Sequence, residues 1–447
     1  METRRQPALT RFVQLRVEVT QGPDRGKVAD ASGAPLSVGT AADNDLILTD
    51  ESVSRYHLEF RQTPSGIEIS DLGSTNGTII GRARIERAML MPGAMIHLGN
   101  SVIRVIDGGV ASPELLEQEL YHGVVGRSPI TQRFMAQLQK AAASDISVLL
   151  LGETGVGKEV AANAIHLGSA RAEHEMETID CGALAPTLIA SELFGHEKGA
   201  FTGAERRHIG AFERAHLGTV FLDEVGELPL SLQTTLLGVL ERRVFRRLGG
   251  EETLRTDVRL ICATNRDLRA EVNSGRFRSD LYYRIAGLRI GIPPLRERLE
   301  DIPLLVESFL RHAGRDEPLE AVFPPQVLDQ MMNYRWPGNV RELRNFVDHL
   351  FALGEAPELE DSRSGATPAP SSNQAGKSAI EENLATDPLL EGEYRTARDR
   401  MLASFEKLYL ARLLERADGN VAEAARLSKI NRTYLFEMLK RHGIRKR

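Results

Sequence analysis

Cysteine is almost missing from this chain. Cys181 and Cys262 are the only two among 447 residues, far apart and without metal-ligand spacing. That scarcity excludes a disulfide scaffold or a zinc module and fits a reducing cytoplasm. Long apolar runs are missing as well. No stretch reaches the roughly 18 apolar residues that a membrane helix requires. The amino-terminal METRRQPALTRF lacks the apolar core of a signal peptide. A cytoplasmic protein with no membrane partner is therefore expected. Aromatic residues are sparse at 5%, with a single Trp, and no internal repeat is visible. What is present, 42% apolar and 26% charged residues, belongs to a soluble globular protein. The length exceeds one ordinary core, so about two to four domains are expected. A net charge of -6 argues against coating DNA with the whole surface. The charge is uneven, however. Residues 421–447 carry eight Lys and Arg against two Glu, a local balance of +6. That end is expected to bind nucleic acid.

The pattern predicts a multidomain chain. Over residues 12–107, segments such as RFVQLRVEV, GIEISDL and SVIRVI alternate apolar and polar residues between frequent turns, as in an all-β sandwich. A short helical stretch is expected near Pro113–Leu120. Over 122–355, apolar strands (ISVLLLG, GTVFLDE, VRLICATN) alternate with helical segments, which implies an α/β domain with a parallel sheet. Arg296–His312, Gln326–Tyr334 and Val340–Leu353 are expected to form a helical lid. Residues 356–392 (with SRSGATPAPSSNQAGKS) read as a flexible linker. Residues 393–447 read as all-α.

The clearest chemistry lies in Gly152, Glu153, Thr154, Gly155, Val156, Gly157 and Lys158, which follow the strand VLLL and open a helix. Glycines let backbone N–H groups turn toward phosphate oxygens, Lys158 adds charge, and the helix adds its N-terminal dipole. Glu159 stands where Ser or Thr usually ligates Mg²⁺, so metal binding leans on a second motif. That motif is the strand Val220-Phe-Leu ending in Asp223 and Glu224. Asp223 is placed to hold Mg²⁺ and Glu224 to polarise an attacking water. Asn265 ends the strand LICATN, as a sensor of the terminal phosphate or as a strand cap. Arg278 and Arg284 flank FRSDLYYR. They are either arginines that reach transition-state charge from a neighbouring subunit or surface ion-pair partners. Arg341, after a Pro-Gly turn, can reach the nucleotide from the lid. Between the two acidic and glycine-rich motifs lies GAFTGA, Gly199–Ala204, with almost no polar side-chain chemistry. It reads as a mobile tip that presents Phe201 and Thr202 to a partner.

The series GVVGRSP, GETGVGKE, ELFGHEKGAFTGA, GTVFLDEVGELP, ATNRDL, FRSDLYYRI, PPLRER and WPGNVREL resembles the AAA+ domain of bacterial enhancer-binding proteins, the activators of sigma-54 RNA polymerase. The resemblance covers about 122–355 almost continuously. It implies a ring, usually hexameric, with ATP bound between subunits. Lys158 then binds phosphate, Asp223 holds Mg²⁺, and Glu224 activates water. Arg278 and Arg284 become trans arginine fingers, Arg341 the lid sensor, and Phe201 and Thr202 the contact with the sigma factor. Glu159 belongs to this family's form of the loop. Asp180 departs from it, standing where an Asn often restrains the water-activating Glu; a carboxylate there repels Glu224 unless a proton or cation intervenes.

Gly39, Ser54-Arg55-Tyr56-His57 and Ser74-Thr75-Asn76-Gly77-Thr78 resemble a forkhead-associated (FHA) domain, a phosphothreonine-binding β-sandwich. Ser54 and Thr75 offer hydroxyls, Arg55 charge, and Asn76 a reader of peptide backbone. Thr40 replaces the family's usual Arg after Gly39, with Arg55 or Arg82 to compensate, and His57 is expected to be structural. Phosphothreonine binding, phospho-independent docking and a structural role all stay open. No receiver domain is visible, so control by aspartyl phosphorylation is not expected. Residues 405–442 show a helix-turn-helix pattern and resemble the Fis-type DNA-binding domain. Arg432, Thr433 and Tyr434 open its recognition helix toward double-stranded DNA, with Lys429 in place of the usual turn glycine. The partners expected are thus sigma-54 polymerase, upstream DNA, a phosphothreonine protein and copies of the chain itself.

Overall fold

Alternating apolar residues close the amino-terminal strands into two facing sheets. The computed structural model describes residues 12–353, apart from 32–34, 64–65, 112–114 and 316–318. It also describes residue 359 and Leu410, Leu413, Ala417, Arg426 and Leu439. One compact unit spans Met1–Asp361 and a second Ser362–Arg447. In the first, a six-stranded sheet is built around the long antiparallel pair Phe12–Gln21 and Ser101–Ala111. It faces a five-stranded sheet centred on Leu58–Thr63. Val17, Val19, Leu36, Val38, Phe60, Ile69, Ile103 and Val105 fill the space between them and are fully buried. Burying such a set from two half-polar sheets is what makes the sandwich stable.

The expected helix near Pro113–Leu120 is not formed over its described residues. Leu120–Tyr121 is a strand paired with Val124–Val125, and 115–118 are irregular. The cause is tertiary. Leu116 packs against the α/β core, and its N–H donates to Gln132 O of the helix Pro129–Ala142 at 3.2 Å, so a local helical turn is outcompeted.

The α/β domain is built on five parallel strands in the order Met176–Asp180, Thr219–Asp223, Arg259–Thr264, Val148–Leu151, Leu288–Gly291. Its three central strands are near-continuous apolar runs because both their faces are covered, while the edge strands Met176–Asp180 and Leu288–Gly291 are partly exposed. Three neighbouring strands end at Leu151, Asp223 and Thr264, so their following residues converge on one edge, where open α/β sheets bind ligands. The lid helices Ile302–His312, Pro325–Asn333 and Asn339–Leu353 surround their own core of Trp336, Phe323, Leu343 and Phe346. The first lid segment differs from the expectation. Leu295–Glu297 and Leu299–Asp301 are separate 3-10 turns, because Pro303 has no N–H to donate to Leu299 O and its ring crowds that carbonyl, so a helix cannot run through from 296.

In the second unit, Leu410, Leu413 and Ala417 are buried at helical spacing, and Ala417 N–H donates to Leu413 O at 3.1 Å. Arg432, Thr433, Tyr434 and, except for Leu359, the expected linker 356–392 lie outside the described residues. Among the described residues no helix is long and apolar enough to cross a membrane.

Candidate nucleotide site and its partners

Lys158 begins the helix Lys158–Leu167 and is buried at the foot of the phosphate loop. Its ammonium donates to Glu224 Oε1 at 2.8 Å. The other carboxylate oxygen of Glu224 accepts from Asn265 N–H at 3.1 Å, and the Asn265 amide donates to Thr154 Oγ1 at 3.3 Å. Residues from three strand ends thus form one connected set. Glu224 has a left-handed backbone, φ 48°, which costs a non-glycine residue about 1–3 kcal/mol and is sustained only where surroundings impose it.

Asp223 lies beside it and accepts from Glu224 N–H at 2.9 Å. Burial above all, then the Glu224 and Asp180 carboxylates, raises the Asp223 pKa. A carboxylate so destabilised gains from a nearby cation. Among the described residues no three His, Cys, Asp or Glu cluster to hold a metal by themselves. A Mg²⁺ ion keeps waters and takes one or two carboxylates plus substrate phosphates, and Asp223 is one carboxylate of that kind. Glu159 is exposed in the first helical turn and Asp180 is exposed as well. Asp180 Oδ1 accepts from the N–H groups of Gly182 and Ala183 at 2.8 and 3.2 Å, which fixes a turn. The Asp180 carboxylate is thus one of the causes that raise Asp223, while the Lys158 ammonium lies against Glu224.

The lid reaches the phosphate loop directly. Arg341 N–H donates to Gly155 O at 3.2 Å. A Cβ at Gly155 would strike Gly338 O and lie 3.0 Å from Arg341 Cβ, and its φ is +79°, so glycine is required there. The Arg341 side chain is exposed. Glu153 is a tie between loop and lid. Arg296 grips its carboxylate with two hydrogen bonds of 2.8 and 2.6 Å. The Asn339 amide adds donations to Glu153 Oε2 at 3.1 Å and Thr154 O at 3.2 Å. Arg296 and Asn339 lay inside PPLRER and WPGNVREL, yet only the folded arrangement reveals their shared target.

Arg278 and Arg284 stand elsewhere. Arg278 pairs with Asp280 at 2.7 Å and stands at the residue before the helix Ser279–Ile285; Arg284 donates to Leu240 O at 2.9 Å. Both are exposed, and among the described residues neither bonds to the phosphate loop or to Asp223–Glu224. GAFTGA folds back on itself, with Gly199 N–H donating to Ala204 O at 2.8 Å and Ala204 N–H to Phe201 O at 3.0 Å. Thr202 is exposed at the tip. Phe201 is half-buried, its ring edge-on to His196 at 4.9 Å.

In the amino-terminal sandwich, Ser54, Arg55, Thr75 and Asn76 come together on two adjacent loops. Thr75 N–H donates to Ser54 Oγ at 2.9 Å, and the Asn76 amide donates to Ser52 O at 2.7 Å. Gly39 lies under them, where any Cβ would strike Arg55 O. His57 is fully buried. Ser54 N–H donates to its Nδ1 at 3.1 Å, so its Nε2–H points to Gly77 O at 3.3 Å. Burial lowers its pKa, which suits a neutral, structural imidazole. Arg84 also approaches these loops. Its Nη2 lies 3.5 Å from Ser74 O, and a Cβ on Gly77 would collide with its guanidinium. Sequence reasoning considered Arg55 and Arg82 and missed Arg84, because only the turn at 81–83 brings it alongside.

Comparison with known proteins follows the same division. Residues 124–291 match the family described as sigma-54 interaction domain, and 296–373 match the AAA+ ATPase lid domain. Residues 401–442 match bacterial regulatory protein, Fis family. Residues 18–109 match the inner membrane component of T3SS, cytoplasmic domain. The transcriptional regulatory protein ZraR of Escherichia coli O157:H7 is 42% identical over 324 residues, covering 71% of this chain and 68% of that relative. The crystal structure of NtrX from Brucella abortus in complex with ATP is 31% identical, covers 72% of this chain and 69% of that chain, and has a TM-score of 0.47. A structure from an analysis of phosphothreonine-dependent FHA domain interactions is 30% identical, covers 23% of this chain and 99% of that chain, and has a TM-score of 0.20. The ordered sigma-54 interaction domain, lid and Fis segment, together with a regulator this similar over two thirds of its own length, place the chain in the family of sigma-54-dependent transcriptional activators.

Proposed function

We propose that the chain binds ATP with Mg²⁺ and hydrolyses it between subunits of a ring, a hexamer by family resemblance. Hydrolysis drives the remodelling of sigma-54 RNA polymerase, while the carboxy-terminal domain, through Arg432, Thr433 and Tyr434, holds upstream DNA. The observation that carries this reading is the connected set Lys158, Glu224, Asn265 and Thr154 at the carboxyl ends of three adjacent strands. In it Lys158 and the loop amides of Gly152–Gly157 serve the phosphates, Asp223 the metal, and Glu224 the attacking water. Mg²⁺ would supply charge neutralisation at the phosphates. Phosphate oxygens compete with Glu224 for the Lys158 ammonium, so substrate binding frees the carboxylate that acts as base. Arg278 and Arg284, exposed and away from their own phosphate loop, serve a neighbour's nucleotide. Arg341 serves from the lid, and Phe201 with Thr202 meets the sigma factor. The FHA-like module binds a phosphothreonine protein through Ser54, Arg55, Thr75 and Asn76. The reading also makes the protein cytoplasmic.

The test is Glu224→Gln in the full chain. ATP binding is expected to persist while turnover falls about 10²–10⁴-fold, the range for losing a general base. Open-complex formation at a sigma-54 promoter is expected to fall with it. Unchanged turnover would remove Glu224, and with it the assigned chemistry.

A further inference from the structure

The amino-terminal sandwich rests on the ATPase domain through the backs of its two recognition loops. Tyr56, the residue after Ser54 and Arg55, is fully buried and packs edge-on to Tyr282 with ring centroids 5.5 Å apart. The Arg269 guanidinium lies 5.5 Å from the Tyr56 ring centre, donates to Tyr282 OH at 3.0 Å and pairs with Glu59 at 3.1 Å. One ATPase side chain touches both loops. The Asn273 amide donates to Tyr56 O at 2.6 Å and to Leu72 O at 2.9 Å. These carbonyls adjoin Ser54-Arg55 on one side and the Gly73–Asn76 turn on the other.

Asn273 ends the helix Leu268–Asn273, whose N-cap, Asp267, is two residues after Asn265 of the nucleotide site. That helix packs on Ser279–Ile285, preceded by Arg278 and carrying Arg284. A short path of bonded and packed elements therefore joins the recognition loops to Asn265 and to the two arginines proposed as fingers.

The loops are tied to each other by the bond from Thr75 N–H to Ser54 Oγ, together with those from the Asn76 amide to Ser52 O and from His57 Nε2–H to Gly77 O. A phosphate bound there takes the Thr75 N–H for itself and enters between the loops. Any widening between the loops is felt at the two carbonyls that the single Asn273 amide holds. We propose that Asn273 couples phosphothreonine binding to the ATPase domain: a bound phosphopeptide undocks the amino-terminal module, and docking weakens phosphopeptide binding. The coupling rests on the phosphothreonine reading above; the dock itself does not.

The test uses the full chain with Asn273→Ala, and with Glu59→Gln as a variant that loosens the same contact from the sandwich side. Hydrogen exchange is followed by mass spectrometry at residues 54–57 and 72–77, with Phe12–Gln21 and Ser101–Ala111 as the control for folding. Binding is measured with a degenerate peptide pool bearing one fixed phosphothreonine. Both variants are expected to exchange faster at the two loops and to bind the pool at least about fivefold more tightly, the low end of ordinary coupling. Unchanged exchange in both variants would overturn the dock. Faster exchange with unchanged affinity would overturn the coupling and leave the phosphothreonine reading standing. A pool that binds none of the three proteins would overturn the phosphothreonine reading and the coupling with it, while exchange still judges the dock.

Discussion

Single charged residues here do their work through the partners the fold gives them. Glu224 is oriented by Lys158 on one oxygen and Asn265 N–H on the other, in a backbone conformation only a constrained site maintains. Glu153 shows the same logic with a measurable signature. The hydrogen-bonded Arg296 guanidinium, opposed by burial and helped by Asn339, lowers its pKa to about 2. An unfolded Glu titrates near ~4.3. A carboxyl depressed in the folded state contributes stability above its unfolded pKa and loses it as pH falls through the folded value. The tie between loop and lid is therefore complete at neutral pH and dissolves as acid takes the pH from about 4.3 toward about 2. Trp336, the only Trp, is buried in the lid turn and reports on it. In Glu153→Gln the part of the Trp336 emission change that falls in this window is expected to vanish, with weaker ATP binding at neutral pH. Superimposable acid titrations of the two proteins would contradict this role.

At the scale of elements, the proposed role of the loop Gly199–Ala204 separates contact from catalysis. Its neck is closed by its own backbone bonds and by the Phe201–His196 contact, while Thr202 projects. Thr202→Ala removes an exposed hydroxyl and is expected to leave ATP turnover within about twofold, as surface changes do. Open-complex formation should be lost. Joint loss of turnover and activation would make the loop part of the catalytic fold. Much at this scale was legible in the sequence, because phosphate loop, acidic strand end and lid turn each carry their chemistry in consecutive residues. What was not legible depends on contacts between distant segments. Leu116 lost its expected helix to a bond with Gln132. Arg84 reached the recognition loops through a turn, and Asn273 touches residues about two hundred positions away. No local pattern encodes such pairings, since each uses a backbone carbonyl that any residue could supply.

The whole molecule raises a question that one subunit cannot answer by itself. Lys158, Asp223 and Glu224 converge on one edge of the sheet, but Arg278 and Arg284 stand at the start and in the last turn of the helix Ser279–Ile285, and among the described residues neither bonds to them. An arginine contributes about 10³–10⁵-fold to phosphoryl transfer when it reaches the transition-state charge. If a neighbour supplies it, every active site is shared between two copies, and turnover depends on assembly. Two inactive proteins should then repair each other. Lys158→Ala has intact fingers and no phosphate lysine; the double variant Arg278→Ala, Arg284→Ala has the reverse. Each is expected to be inactive by itself at any concentration. Mixed, they form some interfaces that join an intact Lys158 to intact arginines, so activity should return and peak near equal proportions. Wild-type turnover should fall more steeply than linearly on dilution as rings dissociate. Absence of recovery at every ratio, in mixtures shown by sedimentation to co-assemble, would mean that the two arginines do not act across the interface.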